Sequence, residues 1–143
     1  MKTSQKGIDL IKSHEGLRLT AYRCPAGVLT IGYGHTSGVY PNQTITAQQA
    51  ELFLRDDLAA SEASVNRLEG KVPLNQNQFD ALVSLVFNIG GPRFNISTLR
   101  RKILEQAPES EIRSRWTEWR LAGGKILPGL VRRRADELTL YFS

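Results

Sequence analysis

Residues 15–36 read EGLRLTAYRCPAGVLTIGYGHT, and this stretch decides the fold. Short apolar and polar segments alternate on both sides of Pro25-Ala26-Gly27, a tripeptide typical of a tight turn. Residues 17–35 are therefore predicted to form two strands joined by that turn. No other part of the chain has a clear β pattern.

The turn also predicts how the two strands pair. A three-residue loop would pair Cys24 with Val28. Tyr22 would then pair with Thr30, which places Cys24 and Thr30 on one face of the sheet as diagonal neighbours, roughly 7 to 8 Å apart. Both side chains are expected to face whatever the hairpin covers.

A helix is predicted before the hairpin. Ile8 and Ile11 stand three residues apart, and Glu15 follows four residues later. A helix over residues 4–14 would bring all three onto one stripe, and Gly16 is expected to end it.

Helices are predicted for most of the chain after the hairpin. Two capping boxes begin the first of them: Thr46 with Gln49, and Asn75 with Gln78. The first box opens one long amphipathic helix, which would extend roughly 35 Å before Gly70. The second opens a helix over residues 79–89 that is apolar over most of its circumference and should be the buried central helix. Shorter helices are predicted at residues 97–104, 108–121 and 128–141.

The strands are separated from the helices along the sequence, which indicates an α+β fold. We expect one domain over residues 1–143. It would have a small β-containing lobe at about residues 14–57 and a mainly helical lobe at about 58–143, the latter joined by the N-terminal helix. The long helix would connect the two lobes.

Composition narrows the class of protein. The chain has 143 residues, of which 41% are hydrophobic and 23% charged, so disordered and collagen-like classes are excluded. Its formal charge of +5 and sequence pI near 9.7 favour an anionic partner: nucleic acid, anionic lipid or bacterial cell wall. Cys24 is the only cysteine, so no internal disulfide can form. No apolar run resembles a secretory signal or a transmembrane segment, and we expect no stable membrane insertion.

Glu15 is the candidate catalytic acid. Burial on the apolar stripe and the negative end of the helix both disfavour its ionised form. A carboxyl group that stays protonated near neutral pH can donate its proton to a leaving glycosidic oxygen. The alternative is an ordinary solvated glutamate at a helix end.

Eight residues separate Glu15 from Cys24, and five separate Cys24 from Thr30. This spacing resembles that of the active-site residues in the phage-type lysozyme family. The middle position of that pattern is Asp or Cys. The same family is indicated by further segments: residues 30–36 (TIGYGHT), Ile45-Thr46, Asn88-Ile89-Gly90, Ser97-Thr98-Leu99, Gly129-Leu130, Arg133-Arg134 and Glu137.

This resemblance implies a lysozyme-like fold and an endolysin that hydrolyses the β-1,4 bond between N-acetylmuramic acid and N-acetylglucosamine in peptidoglycan, causing host lysis. Glu15 would be the acid, with Cys24 and Thr30 organising water or charge. Gly32 and Gly34 would let the backbone approach a sugar. The resemblance implies no metal and no cofactor, and bacterial peptidoglycan as the partner. We expect a monomer.

Two positions leave alternatives open. A neutral thiol at Cys24 cannot supply the negative charge of an Asp, whereas a thiolate can. Few thiols ionise at neutral pH unless a cation such as Arg18 or Arg23 lowers the pKa. Cys24 could therefore attack carbon, activate water or simply line the site. His35 could act as an acid or base, but its motif position favours a structural pair with Asp57.

Competing functions are a lytic transglycosylase acting on the same bond, a non-catalytic wall-binding module and a basic nucleic-acid-binding domain. The presence of Cys24 and Thr30 beside Glu15 favours hydrolysis. The basic residues are scattered and match no nucleic-acid-binding motif, so no nucleic acid partner is expected, and the run Arg132-Arg133-Arg134 is more typical of a solvated helix face. Without an export signal, we expect the protein in the host bacterial cytoplasm before its release to the periplasm and cell wall.

Overall fold

The computed structural model describes all residues from 1 to 143. Eight helices and four short strands follow one another, an α+β composition as the sequence predicted. In chain order these are α1 Gln5–Glu15, β1 Arg18–Arg23, β2 Leu29–Gly32, α2 Ala47–Asp57, α3 Ala59–Glu69, α4 Gln76–Ile89, α5 Gly91–Asn95, α6 Thr98–Leu104, α7 Glu109–Thr117, β3 Leu121–Ala122, β4 Lys125–Ile126 and α8 Pro128–Tyr141.

The β1–β2 hairpin has the predicted register. Tyr22 pairs with Thr30, and the N–H of Cys24 donates to the carbonyl of Val28 over 3.0 Å. The N–H of Gly27 closes the loop by donating to the carbonyl of Cys24 over 2.8 Å. Gly27 has a φ of +80°, the left-handed conformation that the last residue of a three-residue hairpin loop adopts.

The other side of β1 is also paired. The N–H of Ala21 donates to the carbonyl of Gln43, and the N–H of Ile45 donates to that of Leu19, both over 2.9 Å. Residues 43–45 thus act as a third strand segment, which holds β1 from both sides just before α2 begins.

The chain forms two compact units, one of residues 11–59 and one of residues 1–10 together with 60–143. The smaller unit has its own buried core: Ile11, Ile31, Tyr33, Ala50, Leu54 and Leu58. In the larger unit, α4 packs against α8. Residues 79–86 of α4 are all buried, which confirms the predicted central helix.

Both predicted capping boxes are present. The side chains of Thr46 and Gln49 bond reciprocally to each other's backbone at the start of α2, and those of Asn75 and Gln78 do so at the start of α4. Each box satisfies backbone N–H groups that a helix leaves without partners. The capping residues were therefore predicted correctly, although α4 begins at Gln76, three residues before the predicted start at residue 79.

The single long helix expected after Thr46 was wrong. Two helices of 11 residues each, α2 and α3, meet at Leu58, where ψ is −11°. That value turns the backbone out of regular helical geometry, in which ψ is about −42°. The side chain of Leu58 is fully buried. The break therefore lies at a core residue, where an apolar periodicity gives no sign of it.

The helix predicted over residues 108–121 was also too long. α7 ends at Thr117, whose hydroxyl lies 3.1 Å from the carbonyl oxygens of Arg113 and Ser114 and shares its one proton between them. The chain then forms a second hairpin, β3–β4, around Gly123 and Gly124. Both glycines have positive φ values, +58° and +77°, as a two-residue hairpin turn requires.

Buried acids hold the N-terminus of the larger unit. Glu62 accepts hydrogen bonds from the backbone N–H of Thr3 over 2.7 Å and from its hydroxyl over 2.8 Å. Asp80 accepts from the N–H of Ser4 over 3.0 Å and also from the Ser4 hydroxyl. Carboxylates at the start of α1 are favoured by the positive end of the helix.

None of the helices combines the length and apolar character needed to cross a membrane.

Candidate active site

Glu15 is the last residue of α1, and its side chain is half-buried. Gly16 follows with a φ of +70°, which turns the chain out of the helix. Only residues 16 and 17 separate Glu15 from β1. The backbone of Glu15 therefore lies between the end of a helix and the start of the hairpin.

Cys24 opens the hairpin loop and is partly exposed. Backbone N–H groups of the loop, first that of Val28 and then that of Ala26, lower the pKa of the Cys24 thiol. Thr30 and the N–H of Gly27 lower this pKa further, while partial burial raises it. The loop thus favours the thiolate by hydrogen bonding to the charged sulfur.

The cations considered from the sequence hold other positions. Arg18 lies over the ring of Tyr22, 4.3 Å from its centroid, and Arg23 donates to the carbonyl of Gly27 over 2.8 Å. Neither arginine is among the causes of the lowered Cys24 pKa. Backbone N–H groups therefore lower the pKa of Cys24, an effect that the sequence analysis expected from a side-chain cation. In a sequence, such backbone donors are indicated only by the residues that form the turn.

Thr30 lies in β2 and is buried, with 4% of its surface exposed. Its hydroxyl donates to the carbonyl of Val28 over 2.9 Å. Cys24, Val28 and Thr30 therefore share one hydrogen-bonded end of the hairpin. Glu15, Cys24 and Thr30 all belong to the unit of residues 11–59.

Gly32 and Gly34 lie on either side of Tyr33 within the tight loop at the end of β2. Ile31 and His35 close this loop by exchanging two backbone hydrogen bonds, each of 2.9 Å. Gly32 is buried with a φ of +67°, and a Cβ there would be in ordinary contact with that of Ala50 at 3.4 Å, so the backbone conformation is what favours glycine. Gly34 faces open space. Contact of either glycine with substrate stays a prediction.

His35 is in contact with Asp57, the partner that the sequence predicted. Its Nδ1 lies 2.9 Å from one carboxylate oxygen of Asp57 and 3.0 Å from the other. The imidazole also stacks on Phe53, with ring centroids 4.2 Å apart and an interplanar angle of 14°. These contacts join the loop after β2 to α2, and a purely structural role stays a prediction.

An ion-pair chain beside α1 was not predicted. Lys12 Nζ lies 2.8 Å from Glu51 and 5.7 Å from the centre of the Tyr33 ring, and Glu51 is also 3.4 Å from Arg55. The four-residue spacing of Glu51 and Arg55 was a visible signal for part of it. The link from Lys12 to Glu51 spans 39 positions, and no local pattern reveals it.

No group of three or more His, Cys, Asp or Glu side chains lies close enough to hold a metal ion. The smaller unit offers three chemical groups: a carboxyl group at a helix end, a thiol with a lowered pKa, and a buried hydroxyl. A proton donor together with a group able to carry negative charge is the basic requirement of glycoside hydrolysis.

Comparison with known proteins identifies the family of this chain. The phage lysozyme family model matches residues 12–137. The endolysin of Acyrthosiphon pisum secondary endosymbiont phage 1 is 47% identical over 146 residues, covering all of this chain and 99% of that protein. The endolysin of Bacillus phage PZA is also 47% identical, but this chain spans only 56% of its length. The muramidase domain of SpmX from Asticaccaulis excentricus superposes with a TM-score of 0.91 at 41% identity, covering 99% of this chain and 98% of that one. The fold is therefore lysozyme-like, and the chain belongs to the phage lysozyme family.

Proposed function

We propose that this chain is an endolysin that cuts the β-1,4 bond between N-acetylmuramic acid and N-acetylglucosamine, and so lyses the bacterial host. As a member of the phage lysozyme family, it is a glycoside hydrolase that acts on peptidoglycan. The observation that carries the finer proposal is the position of Glu15 at the end of α1, two residues from the hairpin that carries Cys24 and Thr30.

In the proposed mechanism, Glu15 donates its proton to the glycosidic oxygen that leaves. Positive charge then develops on the anomeric carbon and its ring oxygen. The Cys24 thiolate supplies the opposing negative charge. Thr30 orients the water that adds to the anomeric carbon, and this water gives up one proton to the thiolate as the new C–O bond forms. Hydrogen bonds from the loop N–H groups of Val28 and Ala26 support the thiolate.

Analysis of products from purified peptidoglycan tests the reaction. Hydrolysis leaves a reducing N-acetylmuramic acid end, whereas a lytic transglycosylase leaves a 1,6-anhydro end, and mass spectrometry distinguishes the two. We expect reducing ends from the wild type and a loss of at least about 100-fold in rate for Glu15→Gln. The matched control is Glu109→Gln, which makes the same change at an exposed glutamate of α7 and should leave the rate unchanged. Anhydro ends, or full activity of Glu15→Gln, would reject the proposal.

We further propose that residues 1–143 act as one lysozyme domain and as a monomer, and that Gly34 approaches the sugar through its exposed backbone. The protein would act on the cell wall after a stage in the host cytoplasm. The molar mass in solution, measured by light scattering, tests whether the protein is a monomer. Fractionation of expressing cells before and after membrane permeabilisation tests the cytoplasmic stage. Recovery in the membrane or periplasmic fraction before permeabilisation would reject that stage.

A further inference from the structure

The β3–β4 hairpin and the first turn of α8 form an exposed basic and apolar surface, here called the hairpin patch (residues 120–132). Every residue from 120 to 129 is exposed. Four of its aliphatic residues are exposed within eleven positions of the chain: Leu121 and Ile126 at 55%, and Leu127 and Val131 at 41%. Aliphatic side chains clustered in so short a segment indicate an interaction surface.

The backbone presents these side chains on a regular scaffold. Leu121 pairs directly with Ile126, so the two project from the same face of the hairpin. The N–H of Leu127 donates to the carbonyl of Arg120 over 3.1 Å, which adds a third rung to the ladder. The apolar side chains are therefore held outward by strand pairing.

All charged residues of the hairpin patch are basic. Residues 119–135 contain five basic residues and no acidic residue. Two of the five, Arg133 and Arg134, are buried against Glu137. The other three are exposed, and the structure gives their side chains no ion-pair partner: Arg120, Lys125 and Arg132.

We propose that the hairpin patch docks the protein onto an anionic phospholipid surface. Exposed aliphatic side chains enter the boundary between headgroups and acyl chains, while unpaired cations remain among the phosphates. Each contribution is weak alone, and stable binding to a membrane surface generally needs both. Docking of this kind requires no membrane-spanning helix.

Two other binding partners, a glycan strand and a second copy of this chain, fit the hairpin patch less well. A glycan strand is commonly bound by stacking on aromatic rings, and residues 120–132 contain no aromatic side chain. A second copy of the patch would place three unpaired cations opposite three others, which is repulsive. The combination of aliphatic side chains and unpaired cations is complementary to an anionic lipid surface.

Sedimentation with vesicles tests the proposal on the full chain. We expect the wild type to co-sediment with vesicles of phosphatidylglycerol and phosphatidylcholine in equal parts, and not with vesicles of phosphatidylcholine alone. Replacing Arg120, Lys125 or Arg132 with Gln should weaken the partition constant about fivefold for each cation at low salt. Leu121→Ser/Ile126→Ser should weaken it by at least about tenfold.

The matched control is Leu52→Ser, which removes an aliphatic side chain 61% exposed on α2, outside the patch. It should change binding less than about twofold. Circular dichroism verifies that each hairpin variant is folded, and hydrolysis of soluble peptidoglycan fragments is measured separately. No binding by the wild type to the anionic vesicles, or binding that the hairpin variants leave unchanged, overturns the proposal. Loss of fragment hydrolysis by folded hairpin variants that still bind vesicles assigns the patch to the glycan and also overturns it.

Discussion

The carbonyl of Val28 accepts the hydroxyl proton of Thr30 over 2.9 Å. A threonine hydroxyl has one proton, so while Val28 accepts it, Thr30 lowers the pKa of Cys24 less than the N–H groups of Val28 and Ala26 do. The N–H of Val28 is the main cause of the lowered pKa of Cys24. Val28 thus contributes to both groups, with its carbonyl oxygen towards Thr30 and its N–H towards the thiol.

This relationship predicts that the loop backbone, more than Thr30, keeps Cys24 reactive. Thr30→Val removes the hydroxyl at nearly constant shape and should raise the pKa of Cys24 only slightly. Thiol alkylation at neutral pH should then slow by less than about threefold. Alkylation rates measured across a pH series report the change, and a much larger decrease would show that Thr30 donates to the sulfur.

Distorting the loop should have the larger effect on the thiol. Gly27 has a φ of +80°, which alanine adopts only with strain of about 1 kcal/mol. Gly27→Ala should therefore disturb the N–H groups that point at Cys24, raise its pKa and slow alkylation more than Thr30→Val does. Gly27→Asn is the matched control, because asparagine tolerates positive φ and should preserve the loop.

The pH dependence of hydrolysis tests the charge at Cys24. Its pKa lies below the ordinary value, so the thiolate forms at a lower pH than for a free thiol, and activity that needs it rises as pH rises through that pKa. Cys24→Asp is ionised above about pH 4, so the acidic limb of its profile should move to lower pH. Cys24→Ser cannot ionise in this range and should be at least about tenfold slower. A Cys24→Ser enzyme with the wild-type rate and profile would exclude a role for the thiolate.

The pair of His35 and Asp57 should stabilise the fold and leave catalysis intact. Asp57→Ala leaves the buried Nδ1 of His35 without its carboxylate and should lower the free energy of unfolding by about 1–3 kcal/mol. Asp57→Asn can still accept the hydrogen bond and should have a smaller effect. Urea denaturation gives the stability, and hydrolysis per folded molecule should change less than about threefold. A large loss of activity in a stable Asp57→Asn enzyme would instead assign the pair to catalysis.

Local patterns in the sequence predicted the elements that local chemistry determines. The loop at residues 25–27 set the register of the hairpin, and the side chains of Thr46 and Asn75 set two helix starts. Each depends on residues within a few positions of one another. Glu15 likewise lies at the helix end that the position of Gly16 predicted.

What the sequence did not reveal depends on tertiary contacts. The break at Leu58 occurs at a residue whose apolar character fits a continuous helix equally well. The hairpin around Gly123 and Gly124 has strands of two residues each, too short to show alternation. The arginine run was expected to be solvated, yet Arg133 and Arg134 are buried because Glu137, one turn later, accepts from both.

That buried cluster should be far more sensitive to charge removal than an exposed ion pair. Glu137 is fully buried and accepts from Ser84 over 2.6 Å and from the indole N–H of Trp116 over 3.0 Å, besides the two arginines. Glu137→Gln leaves two buried guanidinium groups without a negative partner and should lower the free energy of unfolding by about 3–5 kcal/mol.

An exposed pair on α7 provides the comparison. Arg113 and Glu109 lie 2.8 Å apart, with about half of each side chain exposed. Glu109→Gln should lower the free energy of unfolding by less than about 0.5 kcal/mol, because solvent screens the pair. Chemical denaturation of both variants gives the two values. Similar losses at the two sites would mean that burial does not govern the strength of these contacts.

The two glycines of the loop after β2 should separate packing from substrate contact. Gly32→Ala would place a buried Cβ in contact with Ala50 at a φ of +67°, and the strain of that backbone conformation should lower the free energy of unfolding by about 1–3 kcal/mol. Gly34→Ala has a φ of +92° but open space around its Cβ, so only the backbone strain of about 1–2 kcal/mol applies.

Activity then distinguishes the roles of these glycines. If Gly34 approaches the sugar, Gly34→Ala should raise KM on peptidoglycan fragments by about threefold or more in folded protein, since the new methyl group occupies the space where the glycan lies. Gly32→Ala should leave KM unchanged in the fraction that is folded, because its Cβ points at Ala50. Steady-state kinetics at a temperature where both variants are folded measures this difference. An unchanged KM for Gly34→Ala would limit Gly34 to its conformational role in the loop.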